Sequence, residues 1–206
     1  MKFGAFWYDL IKIYISGFIM KGVISNARRH DAKRCIELLN LAMEDIAFRL
    51  SGIEDRAKSD EILHSFFKSD INRLSYNNVY VFKISDEIVG AICIYHGGDL
   101  AMLDKPILQH LKALEKEAIL DSECFEDEFY IDSIAVDENF RGRGIAKELI
   151  KHAFAVAKQK DFKKISLIVD ENKPKVQAFY ESLGFKFDTK MIVNFHSYNH
   201  MIKEIL

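Results

Sequence analysis

Residues 130–146, YIDSIAVDENFRGRGIA, constrain the fold more than any other stretch of the chain. They begin as a half-buried strand, break at Asp137-Glu138-Asn139 and turn through Arg141-Gly142-Arg143-Gly144 into a helix. A glycine-rich turn that opens a helix presents several unpaired backbone N–H groups to one point, where the helix dipole adds partial positive charge. That geometry suits phosphate, and two arginines in the turn reinforce it. Which phosphate ligand it serves has to come from the rest of the chain.

Strand and helix signals alternate on both sides of this unit. Residues 23–28 read as a first short strand. Asp31 offers an N-cap to an amphipathic helix carrying Ile36, Leu39, Met43, Ile46 and Leu50, about five turns long and closed by Gly52. A second helix is expected over residues 60–74, with Ile62, Phe66, Phe67, Ile71 and Leu74 inward. Residues 79–84 and 88–95 form a predicted hairpin around Ser85-Asp86-Glu87. Asp104 and Pro106 fit the N-cap and first position of a further helix bearing Ile107, Leu111, Leu114 and Ala118. This segment, about 97–125, reads as an insertion over one end of the sheet. It ends in an acidic tract running from Glu115 to Glu128, which is either a solvated face or a rim attracting a cationic substrate. After the phosphate turn come a helix on Ile145, Leu149, Ala153, Phe154 and Ala157, a strand over 164–169, and a short helix from Pro174 stopped by Gly184. Two final strands, 185–194 and 197–205, close the pattern. The expected class is α/β, a single domain whose central mixed, mostly antiparallel sheet is flanked by helices.

Composition narrows the functional classes. A chain of 206 residues with 49% hydrophobic content fits one domain, or one domain with an arm. A net charge of −2 without a basic stripe argues against a nucleic-acid partner. Cys35, Cys93 and Cys124 lie too far apart for metal-ligand or paired spacing and read as free thiols of a cytoplasmic protein. The histidines suggest no metal either. The apolar first 22 residues, interrupted by Asp9 and Lys12, fit neither a secretory signal nor a membrane span. They read as an ordered arm, a homodimerising surface, or an upstream extension with a start at Met20, ahead of a domain over 23–206.

Two segments resemble the GNAT superfamily of acetyl-CoA-dependent N-acetyltransferases. Ile134-Ala135-Val136 followed by Arg141-Gly142-Arg143-Gly144-Ile145-Ala146 is similar to that family's R/Q-x-x-G-x-G/A signature after its central strand. Ala178-Phe179-Tyr180-Glu181-Ser182-Leu183-Gly184-Phe185 is similar to its helix-to-strand segment, with Tyr180, Gly184 and Phe185 in the Y-x-x-x-G-F spacing. The resemblance covers about residues 23–206. It implies that amides of Arg141, Gly142, Arg143, Gly144, Ile145 and Ala146 hold the pyrophosphate of acetyl-CoA. It further implies that Ile134, Ala135 and Val136 grip the pantetheine arm from a bulged strand, with Phe179 beside it. Tyr180 matches the tyrosine that protonates the CoA sulfur. The position seven before it, often asparagine in the family, is Lys173 here, with Asn172 one residue earlier as the substitute contact.

Acetyl transfer to an amine also needs a proton acceptor, because an amine with a pKa near 10 is charged at neutral pH. Glu128 and Asp132 lie four apart on the central strand and point to one face, so both are candidates. The resulting expectation is direct attack by a primary amine in a ternary complex, with no metal. The alternative is a non-catalytic acyl-CoA-binding module on the same fold. The acidic tract leans toward a cationic acceptor.

Overall fold

The computed structural model describes residues 9–15 and 18–205. The strands are β1 (Asp9–Ile15), β2 (Phe18–Asn26), β3 (Val79–Ile84), β4 (Glu87–His96), β5 (Phe129–Val136), β6 (Lys164–Asp170), β7 (Lys186–Val193) and β8 (His196–Glu204). They form one sheet in the order β1-β2-β3-β4-β5-β6-β8-β7. Every neighbouring pair is antiparallel except β5 and β6. The sheet is thus mixed and mostly antiparallel, as expected.

The helices are α1 (Ala32–Met43), α2 (Ile46–Ser51), α3 (Arg56–Lys68), α4 (Leu100–Ala113), α5 (Ile145–Gln159) and α6 (Pro174–Ser182). The first four cover one face of the sheet around Ile36, Leu39, Phe67, Ile107 and Tyr130. The last two cover the other around Leu149, Ile150, Phe129 and Tyr180. Alternation along the strands supplies both cores: Val81 and Ala91 belong to the first, Phe82 and Ile92 to the second.

Several local expectations shift. The single helix expected to run to Leu50 breaks at Glu44, whose φ of 49° and ψ of −120° lie outside the helical region, so two helices meet at an angle there. The second helix ends at Lys68 rather than Leu74. Ile71 is exposed, while Asn72 and Arg73 are buried in the loop beyond it. The fourth helix starts at Leu100, not at Asp104, and Pro106 lies inside it. Asp104 is no cap but the buried partner of Arg73. The strand expected from Val23 begins at Phe18 and pairs with β1. Of the apolar arm, residues 1–8, 16 and 17 lie outside the described residues.

Candidate active site

β5 and β6 lie side by side only at Phe129 with Ile165 and Tyr130 with Ser166. Beyond that they diverge, and from Ile131 onward β5 is paired with β4 alone among the described residues. One backbone edge of β5 is therefore left without a strand partner, inside a wedge-shaped gap. A cavity of about 320 Å³ occupies the gap, floored by residues 131–134 of β5 and walled by residues 167–170 of β6. Tyr180 of α6, the α1–α2 junction at Glu44 and Asp45, and Tyr198 of β8 complete it.

A β-bulge aims the floor. Cys93 pairs with Ser133 and Ile94 with Ile131, so Asp132 is the extra residue. The side-chain alternation reverses there: Tyr130 and Ala135 belong to one core, Ile131 and Ile134 to the opposite one. The bulge falls in the strand where the resemblance implied one. The Asp132 carboxylate accepts a hydrogen bond from the Tyr95 hydroxyl at 2.7 Å and lies 3.9 Å from Arg73 Nη1. Arg73, which is 2% exposed, donates from Nε and Nη2 to both oxygens of Asp104 and from Nη1 to Glu123 at 2.7 Å. Glu123 also accepts from the Tyr130 hydroxyl. One guanidinium therefore serves three carboxylates. Burial and the neighbouring Glu123 push the Asp132 carboxyl up to about 6, against the opposing pull of Arg73 and the Tyr95 hydroxyl. Ser133 sits beside Asp132 and, like the Tyr95 hydroxyl, favours its ionised form.

The second carboxylate candidate points elsewhere. Glu128 is fully buried immediately before the two residue pairs that join β5 to β6, and it does not line the cavity. It accepts from Phe125 N at 3.0 Å, Ser166 Oγ at 2.8 Å and, through a 3.1 Å contact, from His200 Nε2. Burial raises its pKa, but the bonds from His200, Phe125 N and Ser166 outweigh that and hold it below the usual glutamate value. Tyr180 does line the cavity, 8% exposed between Phe179 and Phe185, and burial pushes its hydroxyl up to about 12.

The glycine turn follows at the far end of β5. Gly142 and Gly144 have φ of +74° and +81°, the left-handed region that side chains disfavour. A Cβ built on either meets nothing within 4 Å, so the turn opens onto free space. Its base is tied down. Asp137 accepts from Asn139 N at 2.9 Å and pairs with Arg34 of α1, which also donates to the Ile88 carbonyl at 2.9 Å. The arginine side chains of the turn fold inward: Arg141 Nε donates to the Val136 carbonyl, and Arg143 lies over the Phe140 ring, 4.9 Å from its centroid. Ile145 and Ala146 begin α5, whose first amides have no acceptor within the helix.

The site therefore gathers Asp132, Ile134 and Tyr180, and continues along Ala135 and Val136 to the turn. Asn172 and Phe179 do not line the cavity. The Asn172 side chain donates to Asp170 Oδ1 at 3.1 Å. Lys173 lines the cavity instead and reaches Glu44 at 2.8 Å, bridging α6 to the α1–α2 junction. Arg73 and Glu123 escaped the sequence reading. One falls in a segment with helical spacing, the other in an acidic tract whose members face different ways.

Residues 32–185 match the model of the acetyltransferase (GNAT) family. Among solved structures, one described as an acetyltransferase is 27% identical with a TM-score of 0.73, covering 89% of this chain and 99% of that one. An N-acetyltransferase from Staphylococcus aureus Mu50 is 23% identical with a TM-score of 0.73, covering 87% and 99%. The ribosomal-protein-S18-alanine N-acetyltransferase of Escherichia coli shares the fold at 14% identity, with a TM-score of 0.55 and coverage of 89% and 96%. No curated protein matches the chain.

Proposed function

As a member of the GNAT family of acetyltransferases, this chain is an N-acetyltransferase, and we propose that it moves acetyl from acetyl-CoA to a primary amine by direct attack in a ternary complex. The observation that carries this reading is the open wedge between β5 and β6, with Asp132 at its floor, Tyr180 on its wall and an unobstructed glycine turn at the end of the same strand.

Acetyl-CoA, when bound, supplies an activated thioester carbonyl. The amides from Arg141 to Ala146 fit its pyrophosphate, since neither glycine carries a side chain into the cradle and the α5 dipole favours anions there. The free edge of β5 from Ile134 to Val136 offers main-chain groups to the pantetheine amides in the manner of an added strand. Asp132 takes the ammonium proton. At neutral pH a carboxyl near 6 is mostly ionised, and raising it from 3.8 lowers the uphill cost of that transfer by roughly 3 kcal/mol. Tyr180, held protonated by burial, donates to the departing sulfur. The N–C bond forms as the C–S bond breaks; nitrogen sheds one proton to Asp132 before the attack and a second afterwards, which restores the Tyr180 hydroxyl once it has protonated the thiolate, leaving the amide, CoA thiol and a protonated Asp132.

Calorimetric titration of acetyl-CoA into the protein and into Gly144→Val checks the cradle. A β-branched side chain at φ +81° strains the turn and enters the ligand's space, so affinity is expected to fall at least about tenfold. Equal affinity would remove the turn from cofactor binding.

A further inference from the structure

Glu44 holds a backbone conformation that ordinarily belongs to glycine. Its φ of 49° and ψ of −120° end α1 and begin the turn into α2. An L side chain is strained there, whereas glycine adopts such angles freely. Strain of this kind persists where the surrounding structure over-determines it, and it collects at ligand clamps. The contact that uses this residue is an ion pair: Lys173 Nζ lies 2.8 Å from Glu44 Oε1. Both residues line the cavity.

The pair joins the two faces of the sheet. Glu44 follows Met43, which packs in the core of the first face. Lys173 immediately precedes α6, whose Tyr180 and Leu183 pack in the core of the other. Between them β5 and β6 are paired only at two positions, ending with Tyr130 and Ser166. The ion pair therefore spans the wedge where the main chain leaves it open. Asn194, which also lines the cavity, secures the β7–β8 turn separately: its side chain accepts from Arg49 at 3.1 Å, and its main-chain N donates to Asp121 at 2.8 Å. An arm lying between β5 and β6 has the paired residues at one end of the gap and side-chain ties at the other.

We propose that Glu44 and Lys173 are positioning residues, forming a clasp across the wedge that holds its two walls around the cofactor's arm and slows the release of CoA. This rests on the acetyl-transfer reading of the same cavity. The clasp obstructs entry as well as exit, so the release rate reads it more directly than the affinity does. An exposed pair changes such a rate by no more than about fivefold. The strained backbone separates the clasp from a merely structural contact. Glu44→Gly removes the carboxylate and relieves the strain together, so release quickens without a loss of stability.

The test follows CoA leaving the immobilised protein by surface plasmon resonance, with thermal melts of the same variants. Glu44→Gly, Lys173→Met and the double variant should each release CoA about two- to fivefold faster. All three should do so equally, because each lacks the same contact. Glu44→Gly should melt no lower than the original protein. Unchanged release from either single variant overturns the proposal, as do effects that multiply in the double variant. Faster release from a Glu44→Gly protein that melts well below the original overturns it too, since general loosening then explains the rate. CoA that binds but leaves every variant at one rate condemns the clasp alone. CoA that binds none of the proteins, the original included, condemns the acetyl-transfer reading, which the Gly144→Val comparison examines separately.

Discussion

Asp132 sits between a requirement to be charged and a setting that opposes charge. A proton acceptor must be ionised at the working pH, whereas burial beside Glu123 favours the neutral form. Arg73 and the Tyr95 hydroxyl settle the compromise near 6. Turnover should therefore rise as pH increases through about 6, the direction expected when the ionised carboxylate is the active form. Asp132→Asn should lose that limb and lower kcat by about 10²- to 10⁴-fold, with acetyl-CoA affinity retained. A pH–rate profile that keeps its acid limb in the variant would assign the titration to another group. The sequence made Asp132 and Glu128 equal candidates, because their spacing of four gives them the same parity. It could not show that one opens into a cavity while the other is consumed by Ser166 and His200, since those partners lie 38 and 72 residues away.

At the level of elements, the strand–turn–helix unit was legible because its determinants are local. Alternating apolar residues, glycines at positive φ and an amphipathic helix each follow from neighbours in the chain. The break at Glu44 and the start of α4 at Leu100 were not legible. Apolar spacing runs on through Ile46 and Leu50, and only packing against the sheet shows where the helix axis must turn. Arg34 illustrates the same limit. Its place on α1 gives no sign that it crosses 103 residues of sequence to hold Asp137 at the base of the glycine turn. That contact predicts a positioning role. Arg34→Met should weaken acetyl-CoA binding about three- to tenfold through a less ordered turn, while kcat at saturation stays near its original value. A fall in kcat with unchanged affinity would contradict it, and steady-state kinetics with varied acetyl-CoA separates the two.

On the scale of the whole molecule, the sheet consists of β1 through β5 on one side and β6, β8 and β7 on the other. The two parts meet at two residue pairs, and Glu128 joins them by bonding Ser166 of β6 and His200 of β8. Its folded pKa is lowered, so its stabilising contribution is present above the unfolded value near 4.5 and is lost as pH falls through the folded value. Glu128→Gln should accordingly lower the melting temperature at neutral pH by about 2–10 °C, on the order of 1–3 kcal/mol. Thermal melts of both proteins should converge once the pH has fallen through the lowered folded value, where the native carboxyl is neutral too. A constant difference down to that pH would mean that the charge of Glu128 contributes nothing. Such a short seam also sets how angular play is shared along the wedge. Asp132 lies roughly 7 Å from the seam and Val136 roughly 20 Å, at about 3.3 Å per residue. One degree of rotation at the seam then displaces the first by about 0.1 Å and the second by about 0.35 Å. On the proposed acetyl-transfer reading, the reacting groups stand near the pivot, and the long arm of the lever is left to the cofactor's grip, where a main-chain contact tolerates the slack.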